Sequence, residues 1–367
     1  MNILHVSWSA GFGGIERVIY DLASQQLVQG DSPAILLGVG GGEFHDRSLK
    51  RGIPVIELGM KNGFDLRSSV RKRAGEAMQA AEIIHFHAYI PAVALIARNA
   101  RRPLIYTEHG NFGLGRLRRW NDRLKDWGKR GFVNRTIKAI TANSEYTASQ
   151  MTARYDLDPK QIRMLYNGID LRAFQIPADR QKFRREFGLS DQHFCVGAVS
   201  RLAGVKRIDR LVRAFAVCRK SLPNARLVLI GDGPERQSLQ NLIDELGLAS
   251  DCILTGFRQD VPNILASLDA FVVSAQGESF GLAAVEAAAQ GLPVLGFTDG
   301  GGVLEIIQTM NPELIVENEG RLAAILLKLA SDPAWAAILS QRSRERAALF
   351  TIERMADAMK NIYLEVN

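Results

Sequence analysis

The segment 278–291, ESFGLAAVEAAAQG, constrains the fold of this chain more than any other stretch. It follows an apolar run at 268–274, LDAFVVS, whose length and β-branched residues predict a buried strand. The alanines predict a slim helix that Gly281 opens and that Gly291 and Pro293 end. A strand that turns through glycine into a helix presents free N–H groups and the positive end of a helix dipole, which together form a phosphate site.

Two carboxylates lie on either side of this turn. Glu278 is in the turn itself, and Glu286 is more than one turn into the helix, among alanines that let a ligand approach. A carboxylate accepts two hydrogen bonds from a vicinal diol such as that of a ribose or a hexose. An isolated pair of glutamates at this spacing is typical of a solvated helix face, but the turn and the helix end together with the two acids predict a sugar-nucleotide site.

A second loop supplies positive charge. The apolar run at 194–199 predicts a strand, and Arg201 and Lys206 lie between it and an amphipathic helix. Cations at the carboxyl end of a strand neutralise a diphosphate, arginine as a fork and lysine as a point charge. Strand–turn units follow at 226–236 and 252–257. The series predicts a parallel, doubly wound α/β sheet with its ligand at the carboxyl ends of the strands.

Nine segments occur in a fixed order along the chain. They are GFGGIERVIYDLA (11–23), TEHG (107–110), NSEYTAS (143–149), YNGID (166–170), Arg201 with Lys206, GDGPE (231–235), GF (256–257), ESFGLAAVEAAAQGLPV (278–294) and GGVLEII (301–307). In this order they resemble the family 4 retaining glycosyltransferases of GT-B architecture, over nearly the whole chain. One departure is Leu304, at a position where the family often has proline.

The resemblance implies two doubly wound Rossmann-like α/β domains that face each other across a cleft. We expect an acceptor-side domain at 1–169, a linker at 170–190, a nucleotide-sugar-binding domain at 191–350 and a last helix at 351–367 that crosses back to the first domain. The linker prediction rests on the charge, the weak periodicity and the proline of that stretch. Strands of the first domain are predicted at 3–7, 34–38, 82–87, 104–107 and 139–142.

The resemblance also implies transfer of a hexose-type sugar from a nucleotide-diphosphate sugar to a glycan or lipid-linked acceptor, with retention of configuration. UDP is favoured because it is the family's commonest carrier. Predicted catalytic residues are His109, Arg201, Lys206 and Glu278, and predicted donor-binding residues are Gly13, Gly14, Arg201, Lys206, Ser279, Phe280, Gly281, Leu282 and Glu286.

Each of these residues has an expected role. His109 would lie at the cleft, and Arg201 and Lys206 would stabilise the leaving diphosphate. Glu278 would hold hydroxyls of the donor sugar, and Glu286 would hold the ribose diol. In this family the leaving phosphate itself helps to deprotonate the acceptor, so no protein nucleophile is assigned.

Two other functions stay open. One is a sugar-nucleotide epimerase of GT-B fold, and the other is a non-catalytic subunit that binds a sugar nucleotide in a glycan-assembly complex. The intact set of Arg201, Lys206, Glu278 and Glu286 argues against the second.

No metal or other cofactor is expected. His85 and His87 alternate with apolar residues in one predicted strand, and no third ligand has suitable spacing. Asp156 and Asp158 match the Asp-x-Asp of a different glycosyltransferase fold, but their polar, proline-containing surroundings indicate a turn. An NAD site is disfavoured because Glu16 stands where a dinucleotide fingerprint has its third glycine.

The segment 116–138, from Arg116 to Lys138, carries nine Lys or Arg and two Asp, so its net charge of +7 equals that of the whole chain. An apolar stripe at helical spacing runs through it: Leu117, Trp120, Leu124 and Trp127. One interpretation is a helix packed on its domain by the stripe, with a solvated basic face. The other is a surface for anionic lipid headgroups or a lipid-linked acceptor. Nucleic acid is not expected as a partner, because no nucleic-acid motif accompanies the charge.

The sequence as a whole predicts a cytoplasmic protein. An apolar content of 47% and a charged content of 23% are typical of a soluble globular protein. The three cysteines are too few and too dispersed for a disulfide framework or a zinc site, which favours a reducing compartment. The N-terminus lacks the basic start and long apolar core of a signal peptide. If the basic segment binds lipid, the protein would be peripheral at the inner face of the membrane.

Overall fold

The computed structural model describes residues 1–9, 11–110, 120–175 and 180–367, without the side chains of 120–124 and 175. These residues divide by their contacts into two compact units. The first unit is Met1–Gly168 with Ile352–Asn367, and the second is Ile169–Thr351. Each unit contains one parallel sheet flanked by helices, so the predicted fold class of two doubly wound α/β domains is confirmed.

The first unit alternates strands and helices. Its strands are β1 (Asn2–Ser7), β2 (Ser32–Leu37), β3 (Val55–Glu57), β4 (Ile83–Phe86), β5 (Leu104–Glu108), β6 (Ala139–Ala142) and β7 (Ile162–Met164). Its helices up to this point are α1 (Gly14–Val28), α2 (Glu43–Lys50), α3 (Ser68–Ala80), α4 (Pro91–Ala97), α5 (Trp120–Thr136) and α6 (Glu145–Tyr155).

The strands of the first unit lie in the order β3-β2-β1-β4-β5-β6-β7 and all pair in parallel. The order reverses between β1 and β4, which makes their carboxyl ends the place where doubly wound sheets bind ligands. Because the central strands are covered on both faces, they read as apolar runs. His5 and His85 interrupt two of these runs, and they are register partners across the reversal point.

The second unit repeats this plan. Its strands are β8 (Phe194–Val199), β9 (Ala225–Ile230), β10 (Cys252–Gly256), β11 (Ala270–Val273), β12 (Val294–Phe297) and β13 (Ile315–Val316). Its helices are α7 (Arg172–Gln175), α8 (Arg180–Glu186), α9 (Ile208–Ser221), α10 (Arg236–Glu245), α11 (Val261–Leu265), α12 (Leu282–Ala289), α13 (Val303–Met310), α14 (Glu319–Ser331) and α15 (Pro333–Ala347).

The strand order of the second unit is β10-β9-β8-β11-β12-β13, again parallel, with its reversal between β8 and β11. The loop after β8 carries Arg201 and Lys206, and the loop after β11 carries Glu278. The topology therefore brings together two loops that the sequence marks separately.

The predicted linker at 170–190 is instead part of the second unit. Within it, Arg184 is fully buried and donates to the carboxylate of Asp269 at 2.9 Å and to the carbonyls of Ser190 and Ser267 at 2.7 and 3.0 Å. The stretch reads as a solvated connection because it is basic. In the structure, however, this arginine finds a full set of acceptors inside the fold.

The last helix, α16 (Ile352–Val366), is counted with the first unit. Its Asp357 accepts at 2.7 Å from Gln29, which follows α1, and the hydroxyl of Tyr363 lies 3.3 Å from the amide of Gln26 within α1. Among the residues that the structure describes, no single helix is long and apolar enough to cross a membrane. In the same part of the chain one pair, α14 and α15, meets the length and composition criteria together, although it is bent by 105°.

Candidate active site

The central contact of the second unit joins two predicted site residues. Lys206 lies in a short 3-10 turn after β8, and Glu278 lies in the loop after β11. Lys206 Nζ donates to Glu278 Oε2 at 2.5 Å, and both side chains are largely covered. A lysine and a carboxylate that reach one point from two strand ends can present a cation to a phosphate and an acceptor to a hydroxyl. Arg201 begins the same loop as Lys206 and is exposed.

Backbone contacts hold these two loops together. Ser274 Oγ donates to the carbonyl of Lys206 at 2.8 Å, and the N–H of Gln276 donates to the carbonyl of Val205 at 3.0 Å. Arg210, buried on α9, donates to the carbonyl of Ser274 at 2.8 Å and packs on the ring of Phe297. Since these contacts leave little freedom at the strand ends, the positions of Lys206 and Glu278 are fixed in advance.

The glycines of the GDGPE motif permit a close approach. A Cβ atom on Gly231 would lie 2.0 Å from the carbonyl oxygen of Ser200, and one on Gly233 would lie 2.3 Å from that of Leu202. The N–H of Leu202 donates to the carbonyl of Asp232 at 2.9 Å. This turn therefore supports the loop that carries Arg201, and a larger residue at either glycine would displace it.

Two further glycines shape the turn around Glu278. Gly281 caps α12 with a φ of +93°, and a Cβ atom there would lie 2.8 Å from Val303. Gly301 has a φ of +75° and forms a parallel bridge with Glu278, whose N–H donates to the carbonyl of Gly300 at 2.8 Å. The segment GGVLEII thus fixes the backbone of Glu278, and Leu304 lies in α13 directly behind this loop.

The remaining donor-binding predictions lie on or beside α12. Leu282 is its first residue, and Glu286 is half-buried among buried alanines. Ser279 is half-buried in the turn. Phe280 is almost fully buried and packs edge-on against Phe350, with ring centroids 5.5 Å apart. The side chain of Phe280 therefore belongs to the core.

Gly13 and Gly14 lie in the first unit, at the start of α1. The N–H of Gly13 donates to Glu16 Oε2 at 3.1 Å, so Glu16 caps the helix from the position of the missing third glycine. A phosphate at Gly13 would have to compete with this carboxylate, which would repel it, and the donor contact at Gly13 stays a prediction.

His109 lies directly after β5 and is 7% exposed. Its Nε2 lies 3.0 Å from Nδ1 of His87. Burial lowers the pKa of His109 to about 4, since the opposing effect of the neighbouring Glu108 carboxylate is smaller. The imidazole is therefore neutral near pH 7.

A buried ion pair lies next to His109. Lys129 of α5 donates to Glu108 Oε2 at 2.6 Å and lies over the rings of Tyr106 and Tyr155. Burial alone would raise the pKa of Glu108, but the charge and the hydrogen bond of Lys129 outweigh it, and the pKa is lowered. This pair fixes the basic helix α5 to the strand that leads into His109.

The structure corrects the argument that His85 and His87 have no third partner. Nitrogen atoms of His5, His85 and His87 lie within 4.8 Å of one another, and all three side chains are buried. Three imidazoles can hold Zn²⁺, so geometry alone does not exclude a metal. The absence of a metal site remains a prediction.

Asp156 and Asp158 have structural contacts. Asp156 ends α6 with a φ of +55° and pairs with Arg130 at 2.6 Å. Asp158 Oδ1 accepts from the N–H of Lys160 at 2.9 Å and caps the following turn. Both contacts fit the turn that the sequence predicts.

Several residues around these sites escape sequence reasoning. Gln26, Arg210 and Tyr363 lie on helices whose local patterns mark no site, and the basic pattern of α5 does not single out Lys129 as the partner of Glu108. Only His5 gives a signal, as a polar residue inside an apolar strand. The contacts of the others depend on topology and not on local sequence.

Two family models match the chain. The model described as "Glycosyltransferase Family 4" matches residues 12–173, and the one described as "Glycosyl transferases group 1" matches residues 179–347. The D-inositol 3-phosphate glycosyltransferase of Mycolicibacterium smegmatis is 30% identical over 299 residues, which cover 77% of this chain and 67% of the relative. The Mycobacterium marinum enzyme of the same name is 29% identical over 300 residues, which also cover 77% of this chain. This alignment spans 63% of that relative, less than two thirds of its length.

Among solved structures, Anabaena HepE in complex with UDP superposes with a TM-score of 0.87 over the whole of both chains, at 23% identity. The same protein has also been solved with UDP-glucose, and that structure superposes with a TM-score of 0.85. At this level of identity the likeness establishes the fold.

Proposed function

The chain belongs to the family 4 glycosyltransferases of GT-B architecture, and from this premise we propose that it transfers a hexose-type sugar from a UDP-sugar donor to a glycan or lipid-linked acceptor with retention of configuration. The observation that carries the proposal is the contact between Lys206 and Glu278 at the reversal point of the second sheet. This contact supports the proposal because it joins a cation to a carboxylate that can accept from sugar hydroxyls, in the loop that leads into α12. The N-terminus of a helix at such a strand end suits a diphosphate.

The donor would use groups of different kinds along its length. Lys206 and Arg201 stabilise the charge that develops on the leaving diphosphate. Glu278 accepts from hydroxyls of the sugar, and Glu286 accepts from the ribose diol. Backbone N–H groups near Phe280 and Gly281 add to the phosphate site. We include His109 among the catalytic residues because the family resemblance implies it.

Cationic side chains and a helix N-terminus can supply the charge that a metal ion supplies in other transferases. The proposal therefore includes no metal and no other cofactor. It also places the protein in the cytoplasm, with the basic helix α5 as the part that meets an anionic membrane.

UDP is favoured as the carrier on two grounds. It is common in this family, and the structurally similar HepE binds UDP and UDP-glucose. The acceptor is proposed as a glycan or lipid-linked molecule because the basic surface of the first unit suits an anionic partner.

The test is an incubation of the purified chain with radiolabelled UDP-hexoses, with and without lipid extract. Label should move to an acceptor, and NMR of the product should show the anomeric configuration of the donor. An epimerised donor without transfer would support the epimerase alternative, and binding without turnover would support a non-catalytic subunit.

A chelation arm tests the metal proposal. Transfer should persist in EDTA, and the variant with Asp156→Ala and Asp158→Ala should turn over at the normal rate. Activity that disappears with EDTA and returns with Mg²⁺ or Mn²⁺ would contradict it.

A further inference from the structure

Four buried histidines of the first unit form one hydrogen-bonded network with Gln26 of α1. His109 Nε2 lies 3.0 Å from His87 Nδ1, and His87 Nε2 lies 3.0 Å from His5 Nδ1. This series of hydrogen bonds ends at Gln26, whose Oε1 lies 2.8 Å from His5 Nε2. Gln26, His5, His87 and His109 all have less than one tenth of their surface exposed.

A second arm leaves the same amide. Gln26 Nε2 donates to the hydroxyl of Tyr363 at 3.3 Å, and this hydroxyl lies 2.7 Å from His85 Nδ1. His85 Nε2 lies 2.6 Å from Thr107 Oγ1, which lies 2.6 Å from Thr141 Oγ1. Gln26 therefore hydrogen-bonds to both arms, with its oxygen toward His5 and its nitrogen toward Tyr363.

The amide imposes a direction on the histidine arm. Its oxygen can only accept, so His5 carries its proton on Nε2 and accepts at Nδ1. His87 donates its Nε2–H to Nδ1 of His5. His87 therefore accepts at its own Nδ1, and the donor there is the Nε2–H of His109. Because a neutral imidazole has one donor and one acceptor, each tautomer determines the next.

We propose that Gln26 is a positioning residue that fixes the tautomer of His109, with the proton on Nε2 and the lone pair on Nδ1. The role of Gln26 in transfer rests on the proposed function, in which His109 belongs to the active site. The assignment of the His109 tautomer is independent of that function. His109 thus presents a hydrogen-bond acceptor at Nδ1 because of an amide two histidines away.

The directions of the hydrogen bonds in this network depend on one another. Reversing one bond would leave two donors or two lone pairs facing each other in a buried site, which is costly. The alternative is to rotate the amide of Gln26 and reverse every bond of both arms at once. Burial also favours the neutral imidazoles, since the pKa of His5 and of His109 is lowered to about 4. The network therefore has two ordered states, and the orientation of Gln26 selects between them.

A metal ion would require a different proton arrangement. Zn²⁺ held by His5, His85 and His87 needs a lone pair from each of them. His5 Nδ1 and His87 Nε2 instead share one proton across 3.0 Å, and both nitrogens of His85 face hydroxyl groups. The proposed tautomers of His5, His85 and His87 and a bound Zn²⁺ therefore exclude each other at this cluster.

The test reads the tautomers directly. The full chain is labelled with ¹⁵N-histidine, and long-range ¹H–¹⁵N correlation spectra identify the protonated nitrogen of each ring. Loss of one signal set in His109→Ala assigns His109. The expected spectrum has His109, His87 and His5 all protonated at Nε2, and a wild-type His109 protonated at Nδ1 would overturn the proposal.

Variants test the part played by Gln26. Gln26→Met removes the acceptor, so His109 should populate both tautomers. Gln26→Glu keeps an acceptor for His5 and should retain the Nε2–H form. Tyr363→Phe removes the hydroxyl that orients the amide, so it should also mix the tautomers, and it replaces Gln26→Met if that variant fails to fold.

Ser48→Ala is the matched control, because it removes another buried hydrogen bond of this unit, the 2.7 Å contact with the Phe44 carbonyl. A single unchanged His109 tautomer in Gln26→Met or in Tyr363→Phe would overturn the proposal.

Two further measurements complete the design. Titration with Zn²⁺ should leave the three imidazole spectra unchanged, whereas coordination shifts at all three would overturn the proposal in favour of a metal site. In the transfer assay, Gln26→Met should lower kcat by ~10-fold or more at constant KM, and Gln26→Glu should restore most of it. Mixed tautomers with unchanged kcat would overturn the positioning role. If the unmodified protein transfers no sugar, the proposed function fails while the tautomer assignment stands on the spectra.

Discussion

At the residue scale, the ion pair between Lys206 and Glu278 joins two groups that we assign to different parts of the donor. In the proposed function Lys206 serves the diphosphate and Glu278 serves the sugar, and their Nζ and Oε2 atoms are 2.5 Å apart. A bound phosphate would have to compete with Glu278 for the ammonium group. We therefore expect the two residues to act as a coupled unit.

We predict that Lys206→Ala lowers kcat/KM by ~10–100-fold, because a charge-assisted hydrogen bond contributes ~1.5–3 kcal/mol and each ~1.4 kcal/mol is tenfold in rate. Arg201→Ala should have an effect of the same order. Steady-state kinetics with the UDP-sugar are the measurement, and Lys220→Ala, an exposed lysine at the end of α9, is the control. Near-normal turnover of Lys206→Ala would rule out its role.

The same residues show what the sequence can predict. Arg201, Lys206, Glu278 and Gly281 stand in short motifs after predicted strands, and a strand-to-helix turn places them at the edge of the sheet by itself. Gln26 and Tyr363 are 337 positions apart, and only the packing of α16 on α1 brings them together. No local pattern encodes that contact. The burial of Phe280, which removes its ring from the site, also depends on a distant residue, Phe350.

At the element scale, strands of four or more residues were predictable and the shortest strands were not. The runs at 139–142 and 194–199 coincide with β6 and β8. By contrast β3, β7 and β13 contain two or three residues, too few to show a period. The helix α12 was predictable because glycine and proline mark its ends, and it spans Leu282–Ala289.

The side chains of α5 bear on the two interpretations of its apolar stripe. A helix packed on its domain by the stripe would bury Trp127, but that side chain is 75% exposed, while Phe132 and Val133 are buried. Leu117 lies outside the described residues, as do the side chains of Trp120 and Leu124. Trp127 lines a cavity of about 670 Å³ with the exposed side chains of Phe64, Leu66 and Leu95, and with Arg98, Arg130 and Arg135. Exposed apolar groups with arginines around them favour the membrane interpretation over the packed helix.

We predict that the protein sediments with anionic vesicles and not with zwitterionic ones, and that binding weakens as salt rises. Changing Arg98, Arg130 and Arg135 together to Gln should weaken binding by roughly a hundredfold, since each cation contributes ~1 kcal/mol near such a surface. UDP-sugar affinity should stay unchanged. Changing Arg213, Lys220 and Arg321 of the second unit to Gln removes the same charge and is the control. If the unmodified protein fails to bind anionic vesicles at low salt, a soluble acceptor becomes the better proposal.

At the scale of the whole molecule, the repeated strand–helix series predicts two doubly wound units, because each series can bury its sheet only between two layers of helices. The linker at 170–190 was predicted from composition, which cannot show that Arg184 meets Asp269 inside the second unit. The two units also differ in a property that composition hides. Of the chain's six histidines, His5, His85, His87 and His109 are buried in the first unit.

This difference predicts that acid destabilises the first unit. Burial lowers the pKa of His5 and of His109 from 6.5 to about 4 and that of His85 and His87 well below 6.5. Between these values the unfolded chain binds more protons than the folded chain, so the free energy of unfolding falls as the pH falls through that window. His5 and His109 would each remove about 3 kcal/mol, at about 1.4 kcal/mol per pH unit, from a typical total of about 5–15 kcal/mol.

Urea titrations from about pH 7 to about pH 4.5, read by pulse-labelling hydrogen exchange, can follow peptides of each unit separately. The midpoint of the first unit should fall steeply across this range, and its slope should survive His45→Gln, which removes a histidine outside the buried network. Carboxylates titrate in both units, so the second unit serves as the internal reference. Equal pH dependence of the two midpoints would contradict the prediction, because it would mean that the four imidazoles are protonated in the folded protein as readily as in the unfolded chain.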